Sequence, residues 1–174
     1  MAPRIRATLP ILAGLAALAG CGRDLESGRY DFVATRVRQD SCSSAGPMEP
    51  GDIWDGVLRV AGDSVRLDYE LHRARDGRAM LGRFLAPDGD GEEEFIADAT
   101  FDVVTQMGPG PEGAPSACLA FAHLHLDAVV DASDRFHGVF RVDYQRRPAA
   151  SPECRSGCTI ELEIEAERVG PVPD

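Results

Sequence analysis

The chain has 174 residues, of which 44% are apolar and 6% aromatic, and its formal net charge is -11 with all 18 basic residues being arginine. These figures exclude a disordered tail, a basic nucleic-acid binder and a multi-span membrane protein, and they fit one ordinary domain.

Arg4 and Arg6 precede an apolar run from Leu9 to Ala19. That run is too short for a permanent membrane span and has the order of a secretory signal, with a charged start, an apolar core and small residues at its end. It closes on Leu18-Ala19-Gly20-Cys21, which resembles the bacterial lipobox. The resemblance implies cleavage before Cys21, acylation of Cys21 (palmitate among the chains) and attachment to the membrane through those chains. Residue 22 is glycine, whereas an aspartate there resembles an inner-membrane retention signal, so the resemblance points to the outer membrane. The expected organisation is a signal over residues 1–20, an acylated tether over 21–28 and a single β-barrel domain over 29–174. Loss of residues 1–20 removes two arginines and takes the net charge from -11 to -13. Attachment by acyl chains, not electrostatics, is expected of so acidic a protein.

Assigning Cys21 to the lipid leaves Cys42, Cys118, Cys154 and Cys158, which can form two disulfides in an oxidising compartment.

Beyond the signal, apolar and polar residues alternate with period two between turn residues, as half-buried antiparallel strands require. In chain order the expected strands are Arg29 to Arg38, Trp54 to Ala61, Ser64 to His72, Arg78 to Ala86, Glu94 to Thr105, Cys118 to Ala132, Phe136 to Gln145 and Cys158 to Val169. About eight strands and no credible helix give an all-β, up-and-down meander barrel. Along Ser64 to His72, Val65, Leu67, Tyr69 and Leu71 share one face, and Phe136, Phe140, Val142 and Tyr144 do so later. A turn at Ser133-Asp134-Arg135 closing Ala132 on Phe136 would set Asp127 opposite Arg141, Asp131 opposite His137 and His125 opposite Asp143. Short connections at Gly62-Asp63, Pro87 to Glu93 and Ser133 to Arg135 alternate with longer ones at Gln39 to Ile53, Gln106 to Ala117 and Arg146 to Gly157, and only the tight connection around Asp76-Gly77 breaks the rule. One end of the barrel is therefore plain, the other carries the long loops and the four cysteines, and the chain enters from the plain end.

This pattern resembles a lipocalin or wider calycin barrel. Gly28-Arg29-Tyr30 is similar to the family's opening Gly-x-Trp, with tyrosine for tryptophan, and Arg168 to the late arginine that packs over that ring. The resemblance implies an internal site for a small apolar ligand, lined by Trp54, Tyr69, Phe84, Phe101, Phe140 and Tyr144. Gly56, Gly82, Ala97, Ala99, Ala122, Ala128 and Gly138 would leave room. The same large and small residues would equally interdigitate in a filled barrel. In a closed meander the last strand returns beside the first, so Cys42 is expected to pair with Cys158 and Cys118 with Cys154. The rival is a local Cys154–Cys158 bridge with Cys42 on Cys118.

No Gly-x-Ser-x-Gly elbow or phosphate-binding glycine motif occurs, so no catalytic residue, cofactor or metal is assigned and the chain is not expected to be an enzyme. His123, His125 and Asp127 share a strand face, with His72 or His137 as further candidates, but histidines in cross-strand charge pairs account for them better. The run Asp88-Gly89-Asp90-Gly91-Glu92 lacks the glycine and the final acid of a calcium loop. The outward row Glu161, Glu163, Glu165 and Glu167 is expected to discourage edge pairing. Two functions remain open: a membrane-anchored lipoprotein that binds a small apolar ligand, or a filled barrel serving as a structural or interaction module of the envelope. No nucleic acid is expected as a partner, and no protein partner is identified.

Overall fold

The structure is a computed structural model. It describes residues 24–42, 50–51, 53–69, 78–86, 91–109, 115–147 and 157–173, of which 53, 69, 78, 105–109 and 115–118 by backbone alone. Eight strands run β1 Gly28–Asp40, β2 Ile53–Ala61, β3 Ser64–Tyr69, β4 Arg78–Phe84, β5 Glu94–Pro109, β6 Pro115–Ala132, β7 Arg135–Arg146 and β8 Gly157–Gly170. Each is antiparallel to its neighbours, and β8 returns to β1, closing the meander barrel expected from the alternation. The fold is all-β and lipocalin-like.

Closure follows a definite stagger. Hydrogen-bonded partners lead from Arg59 through Arg66, Leu81, Asp98, His125, Arg141 and Glu161 to Gln39 on β1. Continuing the Gly28–Leu58 pairing by one residue sets Arg59 opposite Ser27, so this circuit advances twelve residues, from Ser27 to Gln39, two of them bulge residues of β1, which leaves a stagger of ten. At a fixed strand number a larger stagger tilts the strands and widens the barrel beyond the stagger of eight that side chains fill completely.

Inward residues form one core. Tyr30, Leu58, Met80, Phe95, Ala97, Leu126, Ala128 and Phe136 are fully buried, and the buried set contains no polar or charged residue among those described. Gly62 has φ +59°, the left-handed region that suits a two-residue hairpin turn, and joins Ala61 to Ser64 across Gly62-Asp63.

The structure corrects three expectations. Ala132 pairs with Arg135, not Phe136, and a bulge at Asp131 then brings Val130 opposite Phe136, shifting the β6–β7 register by two residues. His125 therefore lies opposite Arg141, Asp127 opposite Val139 and His123 opposite Asp143. The connection expected over Gln106 to Ala117 is mostly strand: β5 and β6 continue as a two-stranded ribbon to the pair Pro109–Pro115, past a bulge after Val104. Proline is tolerated there because a two-stranded ribbon has no further neighbour needing its amide. The glutamate row of β8 does not guard an edge, since closure against β1 and β7 leaves that strand none.

Cys42 and Cys158 form a disulfide with Cα atoms 5.0 Å apart, as strand order required. Cys154 and the Cys118 side chain lie outside the described residues, as do Cys21, His72 and the run 87–90. The bridge joins residues 116 apart, and on the chain-entropy model such a loop restricts the unfolded chain by about 4 to 5 kcal/mol. Replacing both residues, Cys42→Ser with Cys158→Ser, is expected to lower unfolding free energy by about that amount in denaturant titration. Non-reducing peptide mapping should recover the two in one linked species, and a Cys154–Cys158 peptide would contradict the pairing.

Candidate functional site

The two ends of the barrel differ. At the plain end Asp24–Ser27 pack against the barrel floor, with Leu25 2% exposed. The Glu26 amide donates to Ser133 O at 2.8 Å, the Asp24 amide to Glu93 Oε2 at 3.1 Å, and the Val60 amide to Ser27 Oγ at 2.8 Å. Arg168 sits over Gly28, where a β-carbon would strike its side chain, and donates from Nε to Ser27 O at 3.1 Å. Its Nη1 lies 3.4 Å from Glu26 Oε2. Tyr30, opposite Arg168 in register, donates its hydroxyl to Glu26 O at 2.7 Å. Burial pushes the Tyr30 phenol up to about 12 even though Arg168 acts the other way. The tyrosine and arginine likened to the lipocalin base pair thus meet at the base.

Above this floor the aromatic rings interlock. Phe136 touches Tyr30, Phe32 and Phe95 at centroid distances of 5.5, 5.8 and 5.1 Å; Phe95 meets Phe84 at 5.6 Å. Phe32 stacks on Trp54 at 5.6 Å, and Trp54 reaches Phe140 at 5.8 Å. Edge and offset contacts of this kind add to the burial of the rings themselves.

The small residues do not leave the space expected of them here. A β-carbon on Gly82 would overlap Ile96 O and the Ala97 backbone, and one on Gly138 would overlap Asp127 O and Ala128 Cα. At Gly56 it would meet Phe32 Cε2 at 2.8 Å. These glycines admit close approach of a neighbouring strand or ring, so the lower half is filled.

Of the six residues expected to line a cavity, Trp54, Phe84 and Phe140 belong to this ring cluster. Phe101 and Tyr144 lie beyond it toward the long-loop end, half-buried with Val37, Ala99, Val103 and Ile160. The Tyr69 side chain lies outside the described residues. Within the cluster Trp54 and Phe140 stand nearest to these residues. Burial alone raises the Tyr144 phenol above its ordinary value.

Outside, polar residues form a belt that sequence reasoning resolved only in part. His125 Nδ1 lies 2.7 Å from Asp98 Oδ1, His137 Nδ1 2.9 Å from Asp131 Oδ1, and His123 Nδ1 2.9 Å from Thr100 Oγ1. Asp131 reaches His137 across the bulge. The histidines are thus engaged singly, and no group of three or more His, Cys, Asp or Glu that could hold a metal ion occurs among the described residues. Arg38 Nε bonds Glu163 at 2.8 Å, and Glu161 lies between Arg38 and Arg141 at 3.5 and 3.6 Å. Near the β5–β6 ribbon, Arg147 pairs with Asp102 and lies 4.5 Å over the Phe121 ring. No alternation pattern could have shown this contact, because Arg147 follows the end of β7.

No family model matches the chain, and no curated protein shows significant similarity to it. The likeness to lipocalins stands on strand number, order, closure and the base contacts.

Two carboxylates of the belt respond to pH with opposite sign. Asp31 faces Asp55 and Glu167, and burial together with the Asp55 charge raises its pKa. Asp143 accepts from Arg141 Nε at 2.7 Å and from Thr159 Oγ1 at 2.6 Å, which lowers its pKa. The fold favours Asp31 protonated, so that contribution is present below the ordinary carboxylate value and lost as pH rises through the raised one. It favours Asp143 ionised, so that contribution is present above the ordinary value and lost as pH falls. Asp31→Asn should raise Tm by about 1 to 2 °C at pH 7 with little effect at pH 3, whereas Asp143→Asn should lower it at pH 7. Thermal melts at the two pH values check both signs.

Proposed function

We propose that this chain is a membrane-anchored envelope lipoprotein whose barrel binds one small apolar ligand at its long-loop end. The observation that carries the binding role is the division of the interior. Interlocked rings fill the base half, while Val37, Phe101, Val103, Tyr144 and Ile160 form a half-buried apolar wall above them. Concave apolar surface on a rigid frame is what small-molecule sites are made of, and a stagger of ten, above eight, supports an interior wider than side chains need. The role is binding, not catalysis.

Anchoring rests on the lipobox-like Leu18-Ala19-Gly20-Cys21. With Asp24 held at the barrel floor, Cys21 is three residues away, at most about 11 Å along an extended chain. An acylated Cys21 would hold the base against the bilayer and turn the open end outward.

A filled interaction module is the second reading, favoured by the backbone that occupies the space at Gly82 and Gly138. The neutral fluorophore N-phenyl-1-naphthylamine separates the two. It should bind the Cys21→Ser protein with roughly micromolar affinity, about -8 kcal/mol, and quench Trp54. A probe that stays dark at high micromolar concentration would favour the filled module. For anchoring, Cys21→Ser should abolish palmitate labelling and move the protein from the membrane to the soluble fraction. Unchanged membrane association would defeat the lipid assignment.

A further inference from the structure

We propose that Tyr144 is the polar anchor of the ligand at the open end, and that this ligand is a neutral apolar molecule carrying one carbonyl-type acceptor. The inference rests on the ligand-binding reading above and adds to it the chemistry of the occupant.

The inner face carries two described tyrosines whose hydroxyls are treated differently. Tyr30, at the base, donates to Glu26 O at 2.7 Å. Tyr144 lies on the inner face of β7 by its alternation with Phe140 and Val142, packs against the core, and has no hydrogen-bond partner among the described residues. Its register partners are Ala122 and the disulfide-bonded Cys158, and the other residues of this wall, Val37, Ala99, Phe101, Val103 and Ile160, carry no side-chain oxygen or nitrogen. The half-buried hydroxyl keeps contact with water, and a ligand that covers this wall would remove that water, a loss offset only by a hydrogen-bond partner on the ligand. A phenol keeps its proton at neutral pH, and burial acts in the same direction here, so Tyr144 is available as a donor.

The charges at the rim select against an ionic occupant. By alternation Asp40 and Arg146 face the interior side at the mouth, with opposite signs, and both are already engaged. The Asp40 carboxylate accepts the Cys42 amide at 2.9 Å. A charged ligand would lose hydration on the apolar wall without gaining a counter-charge there. Depth limits size as well. Tyr144 is four residues beyond Phe140, a rise of about 13 Å along the strand and about 10 Å along the barrel axis at ordinary tilt. Two fused rings with a short substituent are about that long, so such a ligand would lie over Val142 with its far edge toward Phe140 and its acceptor at the level of Tyr144.

The test uses 2-acetylnaphthalene and its isostere 2-isopropenylnaphthalene, which lacks the carbonyl, titrated against full-length Cys21→Ser protein with and without Tyr144→Phe. Trp54, the one tryptophan of the chain, is the reporter. Tyr144→Phe should weaken binding of the ketone by about three- to tenfold and change the hydrocarbon by less than about twofold. Retained hydrocarbon binding also shows that the variant is folded. Equal losses for both probes, or no loss for the ketone, would overturn the anchor while leaving the ligand site standing. Failure of both probes to bind the protein with Tyr144 intact would overturn the ligand-binding reading and the anchor with it.

Discussion

Everything else in this barrel depends on the seam between β1 and β8. These strands lie at opposite ends of the sequence, yet their pairing extends from Arg29–Gly170 to Asp40–Ile160, with bulges that let a strongly coiled strand follow its partner. Bringing such distant segments together is entropically expensive, and the seam is correspondingly reinforced. Cys42–Cys158 ties its upper end, Arg36 and Arg38 reach across to Glu161 and Glu163, and Arg168 with Glu26 secures the base. Exposed ion pairs of this sort contribute more to choosing a register than to stability. The upper part of the glutamate row, Glu161 and Glu163, thus helps set the register through arginines on both sides: Arg36 and Arg38 of β1 and Arg141 of β7.

The stagger fixed at the seam decides how the interior is filled. A wide barrel requires strands to bend sharply, and bending is accommodated where a strand passes close over its neighbour. Gly82 and Gly138 mark such points, because each faces the backbone of the adjoining strand at a distance no β-carbon permits. They are paired in register with Ala97 and Ala128, which are fully buried. The two glycine–alanine pairs pull β4 onto β5 and β7 onto β6 around the ring cluster. Packing at the base is thus a consequence of coiling as much as of ring size.

This also explains what the sequence could and could not disclose. The strands were legible because one buried face imposes strict alternation; Ser64 to Tyr69 and Phe136 to Gln145 show it at nearly every position. The first disulfide was legible because a meander that closes leaves one partner near Cys42. The β6–β7 register was not legible, since a shift of two residues leaves every side chain on its proper face and only the unseen bulge at Asp131 separates the alternatives. The small inward residues were ambiguous for a different reason. Glycine in a strand marks either room for a ligand or room for a neighbouring backbone, and only coordinates distinguish them. Phe84 likewise carries no sequence mark that it belongs to the floor and not to the wall, because its depth depends on the stagger.

The polarity of the barrel follows from how each end satisfies its polar groups. At the base the hydroxyl of Tyr30, the guanidinium of Arg168 and the amides of Asp24 and Glu26 all find acceptors, most of them backbone carbonyls, and Leu25 completes the floor. These hydrogen bonds fix the chain's entry point against the barrel. At the other end an apolar wall with one phenol is half-exposed above rings that are themselves buried, held in place by strands whose register is already fixed below. A rigid frame whose unsatisfied chemistry lies at one end can bind there without reorganising elsewhere. The contrast between a hydrogen-bonded base and a half-exposed apolar wall above it is what the proposed ligand site rests on.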